Sequence, residues 1–99
     1  MAEKFPEDFD VDIQPNQPLF IISIVSEMVQ IPIWTLRKLD EMGVVEPKRI
    51  GKKTRCYSKE QIRTLIYIQH LMDNQGVNIS GVKFILELHA HRQEGGKMS

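Results

Sequence analysis

The chain has 99 residues, 13 basic and 13 acidic side chains, and a single cysteine. That length fits one domain with a modest core, too small to house a deep catalytic cleft. One cysteine excludes an intramolecular disulfide and a cysteine-pair metal site, and no apolar run is long enough to span a bilayer.

The first eighteen residues carry Glu3, Glu7, Asp8, Asp10 and Asp12 against Lys4 alone, with Pro6, Pro15 and Pro18 and few aliphatics. Such a segment cannot bury enough apolar surface to order itself, so residues 1–18 read as a flexible acidic arm. The opening MAEKFPEDFD has no cationic head followed by an apolar stretch, so it is no secretion signal and a cytoplasmic protein is expected. The arm carries about −4, which leaves about +4 on the remainder, and it is the local patch that attracts phosphate.

A folded domain is expected over residues 19–92, followed by a flexible tail, 93–99. Phe20-Ile21-Ile22 reads as a short extended run, and Ser23 as the cap of a brief helix from Ile24 to Val29. Gln30-Ile31-Pro32 breaks that helix, and proline favours the opening of the next one. The second helix is expected over about Ile33–Met42, with Gly43 as its terminator. On a 3.6-residue wheel Ile33, Leu36 and Leu39 share a packing side. Trp34, Arg37, Lys38 and Glu41 share the opposite, outward side, with Thr35 at its flank.

Val44-Val45 and Cys56-Tyr57 are expected to pair as short strands around a turn at Gly51. The connecting loop gathers Lys48, Arg49, Lys52, Lys53 and Arg55 with no acid among them. Ser58-Lys59-Glu60-Gln61 fits a capping box. It opens a helix to about Asn74 with Ile62, Leu65, Ile66, Gln69 and Met72 at helical spacing. Asn78 or Ser80 caps a last helix through roughly Leu88, carrying Val82, Ile85, Leu86 and Leu88. Beyond His89 the apolar periodicity stops.

The fold these elements predict is mainly α: a winged helix-turn-helix of two short helices, a β-hairpin wing and two further helices. In that geometry the second helix enters the major groove. Arg37 and Lys38 would meet phosphates or base edges, and Trp34 a sugar or a thymine methyl. Arg49, Lys52, Lys53, Arg55, Thr54 and the hydroxyl of Tyr57 would meet phosphates, the Tyr57 ring packing beneath the wing.

No nucleophile–base pair, glycine-rich phosphate loop or carboxylate pair suggests an enzyme. His89 and His91 stand two apart, off a common helix face, so no metal is expected. Cys56 is expected to pack within the wing strand.

The run from Phe20 to Leu88 resembles the MerR-type transcription regulators. The residues that carry the resemblance are Thr35-Leu36-Arg37, Asp40, Gly43-Val44-Val45, Pro47 with Arg49, and Arg55-x-Tyr57-Ser58. Ile22-Ser23 and the stretch GVNISGVKFILEL, Gly76 to Leu88, are similar to the HspR subgroup of heat-shock repressors. The resemblance implies a homodimer on double-stranded DNA, acting as repressor or activator at an inverted repeat in a promoter. For the HspR subgroup it further implies a DnaK-type chaperone as co-repressor. It marks Arg37, Arg49, Arg55 and Tyr57 as DNA-contact positions, with Thr35 and Lys38 adjacent.

The chain departs from the family where Lys38-Leu39 replaces an aromatic pair, where Gln30 stands at a frequent glycine, and where Gly51 is the wing's sole glycine. Ligand cysteines beyond the wing are missing, so metal sensing is not expected; no long coiled-coil helix is expected to form after Arg92, and with no effector domain expected, no small-molecule sensing is either. Two other readings stay open: a MerR-like protein-interaction module that modulates a chaperone or co-chaperone without binding DNA, and an excisionase-like DNA binder.

Overall fold

The structure, a computed structural model, describes residues 14–98. Most of the expected acidic arm, residues 1–13, lies outside the described residues, as do the side chains from residue 91 onward and Ser99. Strand β1 (Phe20–Ile21) runs into helix α1 (Ile22–Val29), followed by α2 (Ile33–Glu41), β2 (Lys48–Ile50), β3 (Thr54–Tyr57), α3 (Lys59–Asp73) and α4 (Ile79–Met98). The four helices surround a three-stranded antiparallel sheet of order β1-β3-β2. No helix among the described residues is long and apolar enough to cross a membrane.

The first helix starts differently from expectation. The extended run ends at Ile21, and Ile22 is already helical, so Ser23 is not the cap. Ile21 occupies the capping position; its hydrocarbon side chain can make no cap bond, and its backbone is paired with Cys56 of β3. Leu19 N–H extends this ladder to the Tyr57 carbonyl at 3.1 Å. The entry into α1 is therefore held by the sheet rather than by a serine.

Gln30 ends α1 in the left-handed region, at φ 59°. That conformation costs a side-chain-bearing residue about 1 kcal/mol. Local bonds offset it: Gln30 Nε2 donates to the Glu27 carbonyl at 2.8 Å, and Ser26 Oγ donates to the Ile31 carbonyl at 2.6 Å. Pro32 then sets the next start, its carbonyl accepting from Thr35 and Leu36 at 3.0 and 3.1 Å.

Helix α2 closes at Gly43, φ 75°, with Gly43 N–H on the Asp40 carbonyl and Val44 N–H on the Leu39 carbonyl. This is the paired bond pattern that satisfies orphan carbonyls at a glycine-terminated helix end. It also explains why Val44-Val45 is not a strand. Both valine amides donate to Leu39, and Val45 is buried in the core, so neither amide is free for a ladder. The wing instead pairs Lys48–Ile50 with Thr54, Arg55 and Cys56, turning at Gly51, φ 69°.

The capping box at Ser58 and Gln61 forms reciprocally, both bonds at 3.1 Å. In α3 the buried residues are Ile62, Leu65, Ile68 and Leu71; Ile66 is half exposed, and Gln69 and Met72 are only partly covered. The helix is apolar on more than one side, so its wheel fitted two phases equally, and packing against α1 and α4 selects one. Asn78 Oδ1 accepts from Gly81 N–H at 2.8 Å and caps α4. Val82 is fully buried and Ile85 and Leu86 pack on the core, but Leu88 is exposed, and the helix runs past it to Met98. The core gathers Val25, Val29, Leu36, Leu39, Tyr57, Leu65, Ile68 and Val82 beneath the sheet and between the helices.

Candidate nucleic-acid interface

Helix α2 divides as its wheel requires. Leu36 and Leu39 are buried at 1% and 0% exposure, while Arg37, Lys38 and Glu41 face outward and Trp34 is 69% exposed. The described residues leave most of that aromatic ring open to water, and it lies one turn from two cations. The α2 surface therefore combines a planar apolar group with two long basic side chains. That is a combination suited to base edges, sugars and phosphates.

Beyond Gly43 the chain is pinned before it reaches the wing. Val45 and Pro47 are buried, and Gln61 Nε2 of α3 donates to the Glu46 carbonyl at 2.7 Å. The wing then leaves the body with Lys48, Arg49, Lys52, Lys53 and Thr54 all exposed. Each can reach a backbone oxygen without uncovering core.

Arg49 and Arg55 are directly opposed across the β2–β3 ladder. Like charges in that register repel, and a carboxylate from α2 stands between them. Asp40 Oδ2 accepts from Arg55 Nε at 2.8 Å and from Arg49 Nη2 at 3.4 Å. The Arg55 side chain is 17% exposed and Asp40 14%, whereas Arg49 is 50% exposed. Of the two arginines, Arg49 presents its guanidinium outward and Arg55 is engaged inside the fold. The sequence placed Asp40 only at the end of a helix; its role emerges from the pairing of the wing with α2.

Two expected contacts are corrected by burial. Thr35 is 2% exposed: it lies beside Leu39 on the core side of α2, away from the outward Arg37 and Lys38. Tyr57 was expected to keep its hydroxyl available, yet ring and hydroxyl are both buried, and the hydroxyl has no hydrogen-bond partner among the described residues. Desolvation raises its pKa to about 12, with the Asp40 carboxylate adding to the rise. The fold therefore favours neutral Tyr57. The stability this preference carries is present below about pH 10 and is lost as pH rises toward 12. Tyr57→Phe removes an unsatisfied hydroxyl while keeping the ring. It is expected to raise stability by about 1 kcal/mol, to lessen the alkaline loss, and to leave duplex binding unchanged. Thermal melts at neutral and alkaline pH check this, and a binding loss in a fully folded variant would show that the hydroxyl does reach phosphate.

His89 Nε2 lies 3.3 Å from the Tyr67 hydroxyl, and His70 Nδ1 shares a 2.8 Å bond with the Asn74 amide. Cys56 is buried in β3, as its packing role requires. Among the described residues no group of three or more His, Cys, Asp or Glu is placed to hold a metal.

Comparison with known proteins adds an independent line. The profile of the family described as "MerR HTH family regulatory protein" matches residues 20–88, most of the described chain. A putative heat shock protein HspR of Streptomyces coelicolor is 32% identical over 77 residues, covering 78% of this chain and 51% of that protein. HTH-type transcriptional regulators GlnR of Bacillus anthracis and Bacillus cereus are each 32% identical over 83 residues, covering 84% of this chain and 64% of theirs. The chain thus spans between half and two thirds of the length of these relatives.

Proposed function

Because this chain belongs to the MerR family of helix-turn-helix regulatory proteins, we propose that it is a sequence-specific DNA-binding regulator of transcription. The observation that carries the reading is the continuity of the outward α2 face (Trp34, Arg37, Lys38) with the exposed wing cations Arg49, Lys52 and Lys53. Helix α2 lies in the major groove, and the wing follows the adjacent backbone. Arg37 reads a base edge or fixes register, Lys38 meets phosphate, and Trp34 lays its ring on a sugar or thymine methyl. Lys52, Lys53, Arg49 and Thr54 supply sequence-independent grip.

Within the family we infer that the chain is a repressor of HspR type. The support is the match to HspR and the run Gly76–Leu88. It acts as a homodimer on an inverted repeat, with a DnaK-type chaperone as co-repressor. The dimer reading is supported by Phe84 and Leu88, one turn apart on α4 and 62% and 51% exposed, an apolar pair left open by the described residues.

Selection of bound sites from random duplexes tests this reading. An inverted repeat is the expected outcome, and recovery of isolated half-sites would contradict the dimer. On the selected site, Arg37→Ala is expected to cost roughly 1–3 kcal/mol and to relax preference at one base-pair position. A uniform loss across all sequences would move Arg37 from base reading to phosphate contact.

A further inference from the structure

We propose that Asp40 is a positioning residue that locks the β2–β3 wing against helix α2, and that Arg55 serves the interface through this lock rather than by touching DNA. The proposal rests on the DNA-binding reading for its consequence, but not for its geometry.

Three observations lead to it. First, Asp40 lies in the last turn of α2, where the helix dipole disfavours an acid. A carboxylate there needs a tertiary partner, and it finds one in Arg55 at 2.8 Å. Second, Arg55 and Arg49 face each other in the ladder, and the same carboxylate oxygen accepts from both. Without it the two guanidiniums repel across the hairpin. Third, Arg55 and Asp40 are each largely covered, so this pair is little screened by solvent, while Arg49 keeps half its surface free.

The pair joins the two parts that must meet DNA together. Helix α2 sits in one groove and the wing on neighbouring backbone, so their relative angle decides whether both engage one register. A wing hinged only at its base still offers its charge to any duplex. A wing fixed to α2 offers it only where α2 is seated, which converts general phosphate attraction into preference for one site.

Two simple pictures then predict opposite signs. If Asp40 is merely an acid near the interface, Asp40→Ala removes a repulsive charge and tightens binding to every duplex. If it is the lock, the same substitution lowers the ratio of affinities between the selected site and a scrambled duplex, by about tenfold or more, despite the added positive charge. Alanine is the better helix former, so a loss cannot be laid to unravelling of α2.

The experiment measures two things on Asp40→Ala and Asp40→Glu: amide hydrogen exchange residue by residue without DNA, and affinity for selected and scrambled duplexes. In Asp40→Ala the amides of residues 48–56 are expected to exchange at least tenfold faster, while those of Leu65 and Ile68 keep their protection. Asp40→Glu, which retains the carboxylate, recovers part of both effects. Unchanged wing exchange together with equally raised affinity for both duplexes overturns the lock. Should Asp40→Ala not fold, Arg55→Lys replaces it, keeping the charge but losing the planar Nε donor. Accelerated wing exchange in that variant supports the lock, and unchanged exchange overturns it. Because the exchange measurement uses no DNA, absence of duplex binding would refute the functional reading without deciding the lock.

Discussion

Replacing both wing-tip lysines, in the double variant Lys52→Ala/Lys53→Ala, is expected to weaken duplex binding roughly fiftyfold at about 0.1 M salt. It should also lower the slope of log K against log salt by about two units. Each lysine that neutralises a phosphate releases about one counterion, so the two effects come from one cause and must appear together. Both side chains are exposed at the turn that begins with Gly51, away from the Asp40 contact, and their removal should leave the melting temperature nearly unchanged. The loss should be alike on selected and scrambled duplexes, because phosphate contacts carry no sequence information. Salt titration of both proteins on both duplexes measures all of this. A loss confined to the selected site would mean that these lysines reach base edges instead.

The largest effect on the fold is expected from Leu39→Ala. Leu39 is fully buried on the core side of α2, and its truncation leaves a cavity at a cost of about 2–5 kcal/mol. A domain this size has a total stability of only about 5–15 kcal/mol, so the melting temperature should fall by roughly 10–30 °C. Followed by circular dichroism, a variant that melts within a few degrees of the parent would mean that Leu39 does not anchor α2. The wheel already puts Leu39 on the packing side of α2, although the resemblance places an aromatic pair at Lys38-Leu39. The fold puts Leu39 wholly inside, so its contribution is to hold the α2 face in place rather than to grip phosphate.

Much of this was legible in the sequence, and for reasons that are local. The outward face of α2 follows from i, i+3, i+4 spacing. The end at Gly43 and the box at Ser58 and Gln61 follow from helix-end chemistry. The wing cations were visible as a run without acids. What was hidden depended on groups distant in sequence. Ser23 lost its capping role because β1 pairs with β3. Val44-Val45 could not form a strand because Leu39 takes their amides. The phase of α3 was fixed only by its neighbours. Thr35 looked like a contact because it flanks the outward face next to Arg37, and Tyr57 because its hydroxyl follows the wing cations, but burial decides access, and spacing does not show it. The Asp40–Arg55 pair spans fifteen positions. Its one local trace was an acid in the unfavourable last turn of a helix.

The central claim is that α2 and the wing form one surface for duplex DNA. Its most direct test is equilibrium binding of the folded chain to duplex DNA across a range of salt concentrations. The account predicts measurable binding at low salt and a linear fall of log K with log salt, steep enough to report several phosphate contacts. A cooperatively melting sample that shows no duplex binding at the lowest salt would contradict it.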